Sequence, residues 1–446
     1  MKKKRKVWEK VLCTAAAVAV LAGGGFLGVE KFHPQKRSLQ LLEGDVQQTS
    51  SDVVATGILP DSRDVSASGD IQTSAKADAE GSQRAFAKDG MKIDAKAAVL
   101  IDGSSGRVLF AQNAKKHLPP ASVTKVMTLL LVLDACDKGT IAVDDKVTIS
   151  ENAASMGGSQ MYLEPGEQHT VEELLKGVIM ASANDGAVAL AEHLSGSVEE
   201  FVDEMNTKAA EMGLKNSHFV NTNGLPVAKH YSCAYDIGMI CRQLMTYEFA
   251  RDWFTAWQED IKVGLPGKEK DFTLTNTNKM LRTYRGAIGG KTGFTQDAGY
   301  CLAEAAQRDN TRMIAVVLGC KDSKVRFAET ARLLDHGFAS YETVPVAKKG
   351  QKLRTITLPK SDQQEVAAVP EETIAATVKK GKKAHITKKI SIDKSVACPV
   401  KKGEKVGMIH IYNGKKKIGS YPLVSDRDAE KAGFMTLYIR MIKNLV

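Results

Sequence analysis

Ile288-Gly-Gly-Lys-Thr-Gly-Phe294, Tyr300-Cys-Leu-Ala-Glu-Ala-Ala306 and Met313-Ile-Ala-Val-Val-Leu-Gly319 follow one another with turn-forming residues between them. Runs of this kind read as strands, and Arg308-Asp309-Asn310 joins the last two as a hairpin. Far upstream, residues 97–101 and 108–111 repeat the pattern around Asp102-Gly-Ser-Ser-Gly106. The chain between reads as helical. Pro119-Pro120 stops extension, and residues 122–135 follow as a strongly apolar helix. Residues 170–180 open on Thr170 with Glu173 three positions on, a capping box. Residues 185–194, 232–247 and 323–339 complete the helices. Strands at both ends with helices between them predict an α/β (α+β) domain over 93–343. Its sheet is expected to pair the first strands with the last, mainly antiparallel, because hairpins connect them.

With 446 residues the chain is too long for one ordinary domain. Residues 1–30 begin with Lys2, Lys3, Lys4, Arg5, Lys6 and Lys10, and 11–29 carry no charge. That layout predicts an export signal or an uncleaved signal anchor, and either places the remainder outside the cytoplasm. Residues 31–92 hold no aromatic between Phe32 and Phe86 and read as a disordered linker. Over 344–425, short Val/Ile/Thr runs alternate with Lys-Gly clusters, the pattern of a small all-β domain. Residues 426–446 end in an amphipathic helix. Its polar stripe is Thr436, Arg440, Lys443 and Asn444, and it reads as lying in a membrane interface, with burial against its own domain as the alternative.

The net charge of +10 is unevenly placed. Residues 1–10 carry six Lys/Arg against one Glu, and residues 345–446 carry 22 against nine acids, so the intervening chain is net acidic. A nucleic-acid binder would place a basic stripe on its main domain, so no nucleic-acid partner is expected. Basic ends beside apolar segments fit an anionic membrane surface.

Three short patterns occur in order: Ser122-Val-Thr-Lys125 at a helix start, Ser182-Ala-Asn184 between two helices, and Lys291-Thr-Gly293 on a strand. A serine hydroxyl needs an adjacent base to act as a nucleophile. The i, i+3 spacing puts Ser122 and Lys125 on one helix face. Lys125, enclosed beside a second ammonium on Lys291, would lose proton affinity and serve as a neutral base. A free N–H at Ser122 and one from Phe294 would make an oxyanion hole. Ser182 would relay a proton, and Asn184 would hold the substrate amide and Lys125. Singly these patterns are weak: Ser391-Ile-Asp-Lys394 and Ser150-Glu-Asn152 are further copies in unsuitable contexts. Their order, each on the element its role requires, is what carries weight.

The surrounding words are more specific. Gly158-Ser-Gln-Met-Tyr-Leu-Glu-Pro-Gly-Glu167, Met180-Ala-Ser-Ala-Asn-Asp-Gly-Ala-Val-Ala-Leu-Ala-Glu192, Thr275-Asn-Thr-Asn-Lys279 and Gly290-Lys-Thr-Gly-Phe-Thr-Gln-Asp-Ala-Gly-Tyr300 resemble the D-alanyl-D-alanine carboxypeptidase family, the low-molecular-mass penicillin-binding proteins. The resemblance covers about 93–340; the β domain and terminal helix are similar in layout only. It implies a penicillin-recognising serine hydrolase fold on the outer face of the cytoplasmic membrane, trimming the last D-alanine from peptidoglycan pentapeptides, with β-lactams as covalent inhibitors and no cofactor. By resemblance Ser122 forms the acyl-enzyme, Lys125 is its base, and Ser182 and Asn184 complete the site. Lys291, Thr292, Gly293, Phe294 and Thr295 hold the substrate, and Arg326 looks like the family's carboxylate-binding arginine. Phe294 stands where some relatives carry His, which leaves a backbone donor but questions any side-chain role.

The remaining chemistry is sparse. No H-E-x-x-H and no Cys pair at zinc spacing occur, so no metal is expected. His117 reads as solvated surface rather than a partner for Ser122. Cys301 and Cys320 fall on the hairpin strands; buried free thiols are favoured over a bridge. A secreted serine β-lactamase of the same fold and a non-catalytic wall-binding protein are the rival readings.

Overall fold

The computed structural model describes residues 91–381 and 385–443. The expected signal and nearly all of the expected linker lie outside the described residues. Five strands form the central sheet: β1 (Ala97–Asp102), β2 (Val108–Gln112), β3 (Ala287–Thr295), β4 (Gly299–Arg308) and β5 (Thr311–Cys320). Their order is β2-β1-β5-β4-β3, every neighbour antiparallel. The first strands do pair with the last, and β3 is left at an edge.

Strand alternation explains why this sheet is covered on both faces. Val99, Ile101, Ala303, Ala305, Ile314, Val316 and Leu318 face one core. That core is closed by α1 (Lys125–Asp137), α2 (Val171–Lys176), α3 (Asn184–Ser195), α4 (Val198–Glu211) and α5 (Ala234–Leu244). Ala98, Leu100, Leu302, Ala306, Met313, Ala315 and Val317 face the other, closed by Leu333, Leu334 and Phe338 of α6 (Ser323–Ser340). Each fully buried Leu, Ile or Val in these layers contributes about 1.5–3 kcal/mol relative to exposure. Cys301 packs in the first core and Cys320 in the second, and both are free thiols, so the two sulfurs lie on opposite faces of the sheet.

One helix differs from expectation where it matters. Ala121–Thr124 is a 3-10 turn, and α-helix begins only at Lys125. Ala121 is left-handed (φ 50°), and a Cβ on Gly224 would stand 1.9 Å from its carbonyl oxygen. A neighbouring loop thus packs directly on the tight turn, a tertiary contact invisible in the local pattern.

α6 runs without a linker into β6 (Tyr341–Ala347), which crosses the boundary expected at 343/344. The Thr343 N–H donates to Thr311 Oγ1 at 3.0 Å, tying this strand to β5. Beyond it lie β7 (Arg354–Thr357), β8 (Glu365–Pro370), β9 (Ile374–Lys379), β10 (Ile386–Ile392), β11 (Lys405–Asn413) and β12 (Lys416–Ser425). β6 pairs with β9, and the rest form a sheet in the order β7-β8-β12-β11-β10. This is the expected all-β unit. The chain then enters α7 (Phe434–Lys443). Phe434, Met435, Tyr438, Ile439, Met441 and Ile442 of α7 are exposed. Its Arg440 is turned back to the β domain, donating to the carbonyls of Ser361 at 2.5 Å and Asp362 at 2.6 Å. The polar stripe of the expected helix therefore includes a residue that ties it to the β domain. Among the described residues no helix is long and apolar enough to cross a membrane.

Candidate active site

Lys125, fully buried, is the centre of the constellation. Its Nζ lies 3.1 Å from Ser122 Oγ and donates to Asn184 Oδ1 at 2.6 Å and to the Asn223 carbonyl at 2.9 Å. A neutral amine has two N–H bonds and one lone pair. With both N–H groups taken by Asn184 and Asn223, the lone pair is left for the Ser122 hydroxyl. Burial holds the Lys125 ammonium well below the usual lysine range; Lys291 adds to this, and Asp185 opposes it.

Asn184 is fixed on every side. Its Nδ2 donates to the Gly157 carbonyl at 2.6 Å and its N–H to the Ser159 carbonyl at 2.7 Å. Asp185 accepts from the N–H groups of Met161 and Leu163, clamping the same loop. The preceding helix ends in a π-helical segment, Gly177–Ala181, and Ser182 follows in the left-handed region with φ 63°. Such segments and such strain concentrate at functional sites. Gly177 lets Met161 pack close against this segment: a Cβ would meet Met161 Sδ at 2.0 Å and force that side chain to shift. Ser182 is buried beside Asn184, yet its hydroxyl takes no hydrogen-bond partner among the described residues.

β3 brings the third pattern alongside. Lys291 is buried, with its Nζ 3.3 Å from the Thr292 carbonyl as acceptor. Burial first, then the Arg326 guanidinium, pushes its ammonium down to about 7. Thr292 Oγ1 is 2.7 Å from Thr277 Oγ1. Gly293 permits the close approach of β3 to the nucleophile turn, since a Cβ would stand 2.9 Å from Val123 N and 3.1 Å from the Pro120 carbonyl. Gly293→Ala is therefore expected to push β3 off Ser122 and slow acylation about 10²-fold, with a lowered melting temperature because the clash is with backbone, read by stopped-flow with a fluorescent penicillin. Thr295 Oγ1 accepts the Ala298 N–H at 3.1 Å and lines a cleft of about 410 Å³ beside Pro120 and Gly224. Phe294 is half exposed and packs against Tyr300 with the rings tilted by 32° and centroids 4.3 Å apart.

Arg326 lies behind this strand. Its Nη1 donates to the carbonyls of Gly293 at 3.2 Å and Cys301 at 3.3 Å, and its Nε has no partner among the described residues. Lys291 and Arg326 thus hold buried positive charge beside the amine of Lys125, and no carboxylate is ion-paired to any of the three among the described residues. Charges held that way favour an anionic ligand, and β3, an edge strand, offers unpaired backbone groups to an extended peptide. No group of acidic, His or Cys side chains suited to a metal occurs among the described residues. His117 is exposed and stacks on Tyr231 at 4.4 Å, away from the base.

Sequence reasoning missed Asn223, which acts through a backbone carbonyl and so has no side-chain signature. It missed Thr277 as the partner of Thr292, although Thr275-Asn-Thr-Asn-Lys279 was in view. Asn276 and Asn278 there are buried anchors: Asn276 Nδ2 donates to the Ala256 carbonyl, Asn278 Nδ2 to Glu304.

Residues 82–322 match the family model for D-alanyl-D-alanine carboxypeptidase, and 341–431 match that for the C-terminal domain of penicillin-binding protein 5. The chain is 41% identical over 348 residues to the D-alanyl-D-alanine carboxypeptidase DacF of Bacillus subtilis, covering 78% of this chain and 89% of that one. It is 34% identical over 355 residues to DacC of Escherichia coli, covering 77% and 86%. Penicillin-binding protein 5 of Haemophilus influenzae superposes with a TM-score of 0.62 at 32% identity, covering 76% of this chain and 99% of that structure. The chain is thus a serine peptidase and belongs to the D-alanyl-D-alanine carboxypeptidase family.

Proposed function

We propose that Ser122 is the nucleophile and Lys125 its base in removing the terminal D-alanine from peptidoglycan stem pentapeptides. The observation that carries this is the placement of Lys125 Nζ, with two acceptors for its N–H groups and Ser122 Oγ at 3.1 Å. In acylation the hydroxyl proton passes to Lys125 and Oγ bonds to the carbonyl carbon between the two D-alanines. The C–N bond then breaks, and the departing amine takes a proton back from Lys125 through Ser182. Water attacks the ester by the reverse route. Lys291 and Thr292 hold the terminal carboxylate, Arg326 reinforces that positive field from behind β3, and backbone N–H groups of Ser122 and Phe294 receive the oxyanion. Asp185, the nearest carboxylate to Asn184 in sequence, is occupied by backbone N–H groups, which disfavours a β-lactamase-type activation of water. β-Lactams, whose carboxylate and amide imitate the substrate, acylate Ser122 and leave slowly.

The test is D-alanine release from diacetyl-Lys-D-Ala-D-Ala. Wild type is expected to release it, and Ser122→Ala to lose release about 10⁵-fold while remaining folded. Benzylpenicillin is expected to add once per chain, with the adduct mapped to Ser122; an adduct elsewhere, or rapid cephalosporin turnover, overturns the assignment.

The apolar face of α7 and the basic β domain support a location against the outer face of the cytoplasmic membrane. Deleting residues 434–446 is expected to abolish sedimentation with phosphatidylglycerol vesicles and leave peptide hydrolysis in solution unchanged.

A further inference from the structure

We infer that His230 is a positioning residue for the base: a neutral imidazole strap that keeps the Asn223 carbonyl on Lys125. This rests on the reading of Lys125 as base. His230 is buried, and each ring nitrogen has one partner. The Val220 N–H approaches Nδ1 at 3.1 Å, and a backbone N–H can only donate, so Nδ1 is the acceptor. The proton therefore sits on Nε2, which lies 2.8 Å from Thr124 Oγ1 and donates to it. Burial, then the neighbouring His218, pushes the ring down to about 4, consistent with one neutral tautomer.

What the strap joins gives it a role. Thr124 belongs to the turn between Ser122 and Lys125, and Val220 begins the segment that carries Asn223. On the far side, Thr128 Oγ1 donates to the Thr222 carbonyl at 2.6 Å. Gly224 ends the segment with φ 86°, where a Cβ would also stand 2.8 Å from Thr124 Oγ1. The loop is thus pinned to the nucleophile turn by His230 and to α1 by Thr128, with the Asn223 carbonyl held between. Releasing one pin lets that carbonyl leave Nζ, and the lone pair then loses its fixed aim at Ser122. A displacement of about 1 Å in such a group costs about 10²-fold in rate.

The experiment uses the full chain and benzylpenicillin, with the pre-acylation dissociation constant and the acylation rate constant resolved by stopped flow. His230→Leu is expected to lower the acylation rate constant about 100-fold and to change the dissociation constant less than twofold. His230→Gln carries an acceptor oxygen and a donor nitrogen at similar reach and is expected to recover the rate to within about threefold. Thr124→Val cuts the strap at its other end and gives the same signature should His230→Leu fail to fold. Combined with His230→Gln, it is expected to cost no more than alone. Unchanged acylation in His230→Leu or Thr124→Val, no recovery in His230→Gln, or a loss confined to the dissociation constant overturns the strap and leaves Lys125 as base. Failure of wild type to acylate at Ser122 overturns both.

Discussion

Replacing Lys125 with methionine is expected to slow acylation of Ser122 by benzylpenicillin about 10⁴-fold in a protein that stays folded. Methionine matches the length of the lysine stem and its volume, so α1 keeps its packing against the core. What is lost is the lone pair 3.1 Å from Oγ. Asn184, Asn223 and Ser182 do not take up a proton near neutral pH, which leaves Lys291, pushed down to about 7, as the remaining amine of the site. Removal also leaves Asn184 Oδ1 and the Asn223 carbonyl without their donor. That costs stability, whereas removing a buried amine beside Lys291 and Arg326 restores some. The two effects oppose, so the melting temperature is expected to move by only a few degrees. Acylation within tenfold of wild type would show that another group takes the Ser122 proton.

The parts of this site that were legible in the sequence are those in which one residue acts through its own side chain at a fixed local spacing. Ser122 and Lys125 share a turn, Ser182 and Asn184 share a helix junction, and Lys291 to Gly293 share a strand end. The capping box at Thr170 and Glu173 is equally local and is present. The central strands were legible because alternation between two cores requires apolar residues at every position, which the quoted runs supply. What escaped depends on contacts distant in sequence. The Asn223 carbonyl reaches Lys125 across 98 positions, and its only local trace is Gly224. β6 and β8 carry Pro345 and Pro370, which weaken their strand signal, and both occupy places where a proline is tolerated only once pairing is known. The hairpin of Gln258–Val263 with Lys270–Thr275 has a mostly exposed, charged pattern that no core periodicity marks. Arg326 was found by resemblance, but its hydrogen bonds to the Gly293 and Cys301 carbonyls follow from packing of α6 against the sheet.

The second large effect concerns Lys291. In the free enzyme kcat/KM for a D-Ala-D-Ala peptide is expected to fall as pH rises through about 7, because only the protonated ammonium attracts the substrate carboxylate. The rising limb at lower pH belongs to deprotonation of Lys125, which feels Lys291 as a second cation in addition to its own burial. Bound carboxylate compensates the buried charge and raises the proton affinity of Lys291. The alkaline limb in kcat should accordingly lie at higher pH than that in kcat/KM. Lys291→Gln is expected to reduce kcat/KM about 10³-fold near neutrality and to erase the alkaline limb. Stability follows with a definite sign. A lysine with a depressed folded-state pKa binds fewer protons folded than unfolded between about 7 and the ordinary lysine value of 10.5, so wild-type stability rises across that window. Below it the cost of burying the charge is complete. Lys291→Gln should therefore melt above wild type at pH 6 and lose that advantage by pH 10. An alkaline limb that persists in Lys291→Gln, or a stability gap that does not vary with pH, would mean that Lys291 is neither the titrating group nor the carboxylate anchor.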